Sequence, residues 1–342
     1  MANEYDQYFQ EPPEEKPLQP PVTPVAPVQP VVADQSFEAF MQAELLPAAQ
    51  ALEAQRLKQR TRLVNQAWVL GSLVAASIPL SMQLQNPLWS IVTAIIAAVI
   101  LGITYSTSAK LNRQFKTGIA PLLVRRVCGS DARYTPFEGI PAQDFSLTGL
   151  WRRTPDRYKS ADGISGKRDK TWYRFSEVIA EYEVETRVRH GNSYSTETEW
   201  HAIFTGVLFQ ADFNKSFDGR VIVKRQGHDE NIDLPRITLD HEAFEQRFQV
   251  YGLDPVQAHY VLSPALMESL LQLDDQLRNK LEFSFLNGTI YIAHTTPDDR
   301  LESSMWTSYL DQESVRSAIV YLEQWVSVVD LLDLNRRIWS KA

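Results

Sequence analysis

Six histidines, a glycine-rich acidic segment, a row of glutamates and one cysteine are the residues in this chain of 342 whose types could carry chemistry. Histidine is the ready transition-metal ligand and general base near neutral pH. A helical zinc site needs two histidines on one face with a glutamate between them, as in HExxH. His241-Glu242 followed by Glu245 is the nearest approach, and it lacks the second histidine. His190, His201, His259 and His294 are scattered, and His228-Asp229-Glu230 would hold a metal only with ligands from elsewhere, so it reads as a solvated loop. Asp162-Gly163-Ile164-Ser165-Gly166 could present backbone amides to an anion, but a plain turn accounts for the same residues. Glu181, Glu183 and Glu185 alternate along one face and are continued by Arg187, the pattern of a solvent face rather than an acid and base pair. Cys128, alone, cannot form an internal disulfide and excludes a multi-cysteine metal site. No GxGxxG or P-loop occurs. The sequence nominates no catalytic, cofactor-binding or metal-ligating residue, and enzymatic activity is left undecided.

Composition narrows the classes. Hydrophobic residues make up 44% and charged residues 22%, a globular balance. The mean hydropathy of -0.27 makes everything outside the most apolar stretch water-facing. A formal charge of -8 argues against nucleic acid as a partner, which would need a basic face.

The elements that would position any site are organised around residues 67 to 105. Two apolar arms, Ala67 to Leu84 and Leu88 to Tyr105, contain no charged residue and are joined by Gln85, Asn86 and Pro87. Each is near the lower limit of about 17 residues for crossing hydrocarbon. Trp68, Trp89 and Tyr105 stand near the ends, where amphipathic rings favour the headgroup region. Gly71 and Ala75 on one arm, and Ala94, Ala98 and Gly102 on the other, supply small faces for close helix contact. A buried soluble helical hairpin is the alternative, but it leaves the flanking charges unexplained. Those charges are Arg56, Lys58, Arg60 and Arg62 before the first arm and Lys110, Arg113 and Lys116 after the second. By the positive-inside rule both termini face the cytoplasm, giving a multi-pass protein of the cell inner membrane.

Before the hairpin, residues 1–35 form an acidic, proline-rich head with Pro21, Pro24, Pro27 and Pro30 at the spacing of one polyproline turn, and disorder is expected. Residues 36–65 read as a solvated helical segment leading to the membrane, with Ser36 as N-cap, an apolar side of Phe37, Phe40, Met41, Leu45 and Leu52, and an interruption at Pro47. The hairpin itself takes residues 66–108.

Residues 109–342 read as a cytoplasmic α+β domain. Leu111, Phe115, Ile119, Leu122 and Leu123 mark a helix leaving the membrane, made irregular by Pro121. From Thr171 the pattern turns to strand, with Val178, Ala180, Tyr182 and Val184 alternating against the glutamates. Pairing with Thr196 to Phe213 about Ser193 would set Arg187 opposite Glu199 and Arg189 opposite Glu197. Arg220 to Arg225 makes a third strand, while Phe244 to Val250 has no clear period. Leu266, Leu270, Leu271 and Leu273 after Ser263-Pro264 give a helix, and Asn287-Gly288 joins strands Leu281 to Leu286 and Thr289 to His294. Val315, Ile319, Leu322, Val326 and Val329 give a long C-terminal helix ending near Arg336 and Arg337, with Trp339 beyond. The fold class is therefore α+β: a two-helix transmembrane hairpin, then a soluble domain of mostly antiparallel strands with a long C-terminal helix. A pleckstrin-homology-like barrel is a further reading of the same order of elements.

Asp162-Gly163-Ile164-Ser165-Gly166 ahead of Phe175-Ser176-Glu177-Val178, Phe204-Thr205-Gly206-Val207-Leu208-Phe209 with Phe213 and Phe217, Phe248-Gln249-Val250-Tyr251 and Leu262-Ser263-Pro264-Ala265-Leu266-Met267 together resemble the domain-of-unknown-function 3137 family of bacterial membrane proteins. The resemblance spans roughly residues 110 to 295 and the hairpin. That family has no established activity, so the resemblance implies no catalytic residue and no cofactor. The expected partners are the lipid bilayer and either a protein or a second copy of the chain. The leading functional expectation is a membrane-held binding domain, and the alternative is a membrane-proximal enzyme with a site assembled from distant residues.

Overall fold

The computed structural model describes residues 37–106, 108–190, 193–227, 232–278, 280–297, 301–302 and 304–334. The proline-rich head, Ser36, His228-Asp229-Glu230, Arg336, Arg337 and Trp339 lie outside them. The described chain opens with α1 (Phe37–Phe40), a π-helical turn (Met41–Leu45) and α2 (Leu46–Gln83). Pro47 has no N–H to donate, and its ring meets the carbonyl four residues back in a regular helix. The wide turn, in which Leu46 donates to the carbonyl of Met41, relieves that conflict and sets Pro47 in the first turn of α2. This segment is not the solvated lead-in that its charges implied. Phe40, Met41, Leu45 and Ala49 are buried in the same core as the sheet.

α2 and α3 (Leu88–Ser106) form the hairpin. The inter-helix face is formed by Gln66, Leu70, Val74, Ser77 and Ser81 against Ser90, Thr93, Ala97, Leu101 and Thr104, all buried or half-buried. Thr93 Oγ1 donates to Ser77 Oγ at 2.9 Å and Thr104 Oγ1 to Gln66 Oε1 at 2.8 Å. The expected small-residue faces point elsewhere. Gly71 and Gly102 are exposed, with no atom within 4 Å of where a Cβ would stand. Hydroxyl and amide pairs that would otherwise face an apolar surround decide the contact side.

α4 (Ser108–Gly118) and α5 (Ala120–Cys128) follow, divided at Ile119, with Pro121 in the first turn of α5. They lead into a single antiparallel sheet of nine strands: β1 (Arg133–Thr135), β2 (Arg157–Arg168), β3 (Thr171–His190), β4 (Ser193–Asp212), β5 (Arg220–Arg225), β6 (Arg236–Ile237), β7 (Phe248–Gly252), β8 (Leu281–Leu286) and β9 (Thr289–Thr295). Their spatial order is β1-β2-β3-β4-β9-β8-β5-β7-β6. The end strands β1 and β6 do not pair, so the sheet is open and the barrel reading fails. Helices α6 (Ala142–Leu147), α7 (Glu242–Arg247), α8 (Pro255–Val261), α9 (Pro264–Gln276) and α10 (Gln312–Leu331) complete the domain.

Both faces of the sheet are covered. On one, Trp325 of α10 stacks between Phe175 and Phe209 with ring centroids 5.9 and 5.8 Å away, and α5, α9 and the start of the first helix join it. On the other, Phe145 of α6, with Ile140 and Leu150, covers Val178, Phe204, Leu208 and Ile222. Gly206 is required where β4 meets β9, because a Cβ there would stand 2.0 Å from the carbonyl oxygen of His294.

Strands β3 and β4 run past their neighbours. β2 stops pairing at Glu181 and β9 at Gly206, so among the described residues the two strands continue paired only with each other, as a ribbon whose β3 arm, nine residues from Tyr182, spans about 30 Å. Its register differs from the expected one. His190 pairs with Ser193, Arg189 with Tyr194 and Arg187 with Thr196, in place of Arg189 with Glu197 and Arg187 with Glu199. The two-residue connection moves the pairing by an odd step, and a bulge between Ala180 and Glu181 then brings Ala180 opposite Phe204.

Candidate functional site

The residues with chemical potential are spent on structure. His241 caps α7: its Nδ1 accepts from the N–H of Phe244 at 3.3 Å, and its Nε2 lies 3.0 Å from Glu268 Oε1. Glu245 Oε1 accepts from the N–H of Leu239 at 3.0 Å, and its other oxygen pairs with Arg236. No group of three or more His, Cys, Asp or Glu side chains placed to hold a metal ion occurs among the described residues. His201 stacks on Tyr182 at 5.4 Å in the projecting ribbon. Glu181 pairs with Arg157 at 3.3 Å, and the guanidinium of Arg157 also lies 4.0 Å from the Trp200 ring.

The glycine-rich segment is not a turn. It lies inside β2, where a bulge between Ala161 and Ile164 gives Asp162 a positive φ of 52°. Its amides face protein rather than an anion: Asp162 N–H donates to the Pro136 carbonyl at 3.2 Å and Gly163 N–H to the Glu138 carbonyl at 3.0 Å. The Asp162 carboxylate is buried and accepts from Lys116 of α4 and from the Tyr134 hydroxyl. Burial pushes its carboxyl up from the usual range, and those two donors oppose the shift.

Three more buried polar clusters organise the fold. Glu53 and Arg56 of α2 grip the stretch before α10. Arg56 Nη1 donates to the Met305 carbonyl at 2.6 Å, and Glu53 accepts from the Ser308 hydroxyl at 2.9 Å and the Tyr309 N–H at 3.0 Å. Lys224 pairs with Glu282 at 2.7 Å beneath Trp151. Asp274 of α9, fully buried, receives Arg225 at 3.0 Å, Arg247 at 3.4 Å and the N–H of Leu281 at 3.2 Å. Each cluster joins residues at least 27 positions apart in sequence, which is why no local motif announces it.

Two surface grooves run along α7 and α9. One is lined by Ala243, Arg247, Glu268, Leu271, Gln272 and Asp275 among others, and the second by His241, Glu242, Ala243 and Gln246. The groups that burial shifts most, Cys128, Tyr158 and Tyr173, line neither groove. A pocket with converging perturbed groups is the usual mark of a catalytic site, and neither groove has that character.

At the end of the domain nearest the hairpin, the basic flank divides into two sets. Arg56 and Lys116 are buried in the clusters above, whereas Lys58, Arg60, Arg62, Lys110 and Arg113 are exposed. Two exposed aromatic rings stand beside them. Arg60 lies 5.7 Å from the Trp306 ring and Arg113 lies 4.9 Å from the Phe137 ring. Both helices of the hairpin are long and apolar enough to cross a membrane.

No curated protein matches the chain. The solved crystal structure of the mycobacterial trehalose monomycolate transport factor A, TtfA, is similar over 58% of this chain and 88% of that one, at 9% identity and a TM-score of 0.29, a likeness too slight to carry an argument. The family match begins inside β4 and ends just past α10, later at both ends than the span read from the sequence. Residues 202–334 match the family described as Protein of unknown function (DUF3137), which bears out the resemblance to the domain-of-unknown-function 3137 family.

Proposed function

We propose that this chain is an integral membrane protein that crosses a bilayer twice and presents its antiparallel sheet domain, on the cytoplasmic side of a bacterial inner membrane, to a protein or lipid partner. In this reading 66–108 are the membrane hairpin, and the residues before it share the cytoplasmic side with 109–342. The observation that carries it is the exposure of the arms within the folded chain. Trp68 and Met82 are 75% exposed, and Ile103 66%. Apolar surface on that scale is not left facing water in a soluble protein and calls for a covering of lipid or protein. The charges at the base of both arms supply the orientation. Supporting a binding role over catalysis, the polar clusters are closed ion pairs and the grooves are open.

The test is alkaline carbonate extraction of membranes holding the full chain, followed by crosslinking in intact membranes. The protein is expected to stay in the pellet until detergent is added, and to yield a crosslinked partner through the sheet domain. Release by carbonate alone overturns the anchoring. Turnover of a small molecule by the purified protein, with nothing captured, overturns the binding role in favour of a membrane-proximal enzyme.

A further inference from the structure

Exposed aromatic rings are common on protein surfaces singly, but Phe137 and Trp306 are held out by their neighbours. Trp306 follows Met305, whose carbonyl is gripped by Arg56, and precedes Tyr309, whose N–H is gripped by Glu53. Met305 and Tyr309 are buried while Trp306 is 54% exposed. Phe137, 49% exposed, sits between Pro136 and Glu138, whose carbonyls are both tied to the β2 bulge at Asp162 and Gly163. Each ring lies against an exposed arginine on one of the helices that run into the hairpin: Arg60 on α2 for Trp306, Arg113 on α4 for Phe137. Asn112 Nδ2 donates to Glu302 Oε1 at 2.7 Å, tying α4 to the Trp306 stretch as well.

The level of these groups follows from helix geometry. Gln66, bonded to Thr104, belongs to the hydrogen-bonded pair that joins the two helices at the base of the hairpin, and Arg60 lies six residues below it, about 9 Å along the axis. The headgroup layer is about 5 to 8 Å deep on each side of the hydrocarbon, and an arginine stem reaches the remainder. Charge points to the same occupant. Among the described residues, Lys58, Arg60, Arg62, Lys110 and Arg113 are exposed here, beside the acidic Glu138 and Glu302. The pair of Trp306 and Arg60 at this depth, with Phe137 and Arg113 on the same helix-side end of the domain, matches an anionic headgroup layer, which attracts the cations and accepts the rings at its boundary.

We propose that Phe137 and Trp306, together with Lys58, Arg60, Arg62, Lys110 and Arg113, form a lipid-docking surface that seats the sheet domain on anionic phospholipid headgroups beside the hairpin. The proposal rests on the anchored reading above and names one partner for it. It also gives the Asp162-Gly163 bulge a purpose, since the bulge fixes the loop that carries Phe137.

The full chain with Cys128→Ser is reconstituted into phosphatidylcholine vesicles with or without phosphatidylglycerol. A bimane label is placed at Glu138→Cys or Thr307→Cys, each adjoining one aromatic ring, at Leu253→Cys on the connection between β7 and α8, or at Ile96→Cys within the hairpin. Quenching is read from nitroxides on lipid headgroups for the first three and on acyl chains for the fourth. Labels at positions 138 and 307 are expected to be quenched well above position 253 in vesicles containing phosphatidylglycerol. Arg60→Gln with Arg113→Gln is expected to cut that quenching by about half, while Arg60→Lys with Arg113→Lys retains it. Quenching at 138 and 307 no greater than at 253, with the label at 96 quenched, overturns the docking surface and leaves the anchoring standing. Equal quenching with and without phosphatidylglycerol overturns the anionic preference. No quenching at 96 overturns the anchoring itself and the docking with it.

Discussion

Asp274 shows what a buried carboxylate does in this molecule. It takes two arginines and a backbone N–H at once, tying α9 to β5, β8 and the end of α7. Asp274→Ala takes the acceptor from all three donors, but Arg225 and Arg247 are partly exposed and regain water. The expected loss is about 1.5 to 3 kcal/mol, the range for hydrogen bonds to charged groups, read as a lower denaturation midpoint of the sheet domain. Cys128, in α5 against the core, behaves differently. Burial pushes its thiol up to about 12 from an unfolded value of 9.0. The folded form therefore keeps its proton where the unfolded form has lost it, so stability is constant below pH 9 and falls from pH 9 towards 12. Cys128→Ser is expected to flatten part of that fall in unfolding measured across the same window. Native protein at pH 8 is expected to react with a thiol reagent far more slowly than protein in denaturant. Neither role was legible in the sequence: a lone cysteine has no local signature of burial, and Asp274 meets Arg225 across 49 residues.

At the scale of elements, what was legible had a period and what was not had a local break. α9 and α10 show their three-and-four spacing, and β8 and β9 flank Asn287-Gly288, which adopts the positive φ values of 46° and 74° that such a turn needs. β2 was missed because its bulge and two glycines destroy the alternation that marks a strand. The hairpin was found by composition alone, but its contact face was not. Composition shows that glycine and alanine are present, while the hydroxyl pairs that select the face depend on how the arms are rotated. Those arms give the clearest test at this scale. Ile96 lies mid-way along α3 on the outer side, 53% exposed. In a water-soluble protein Ile96→Lys at such a site would change stability by about 0.5 kcal/mol or less. At the centre of a bilayer it costs about 2.5 to 3.5 kcal/mol. Loss of carbonate-resistant protein in Ile96→Lys, with Val320→Lys on the exposed side of α10 as the comparison, is the expected result.

For the whole molecule the decisive quantity is which side of the membrane each part occupies. The sheet domain and the helices leading into the hairpin are bound to one another by the shared core of Phe40, Met41, Leu45 and Ala49 and by the Glu53, Arg56 and Lys116 clusters. They must therefore lie on the same side, and if the arms cross, the link at Gln85 to Pro87 must lie on the other. In a Cys128→Ser background, Asn86→Cys is placed at the exposed link and Gln246→Cys on the exposed side of α7. A membrane-impermeant maleimide applied to sealed vesicles of one orientation is expected to label only the first, and in vesicles of inverted orientation only the second. Labelling of both positions from one side means that the hairpin lies along the surface or returns without crossing. In that event the five exposed cations at its base could not be assigned to one face of the membrane by the charge rule, because that rule governs segments that cross.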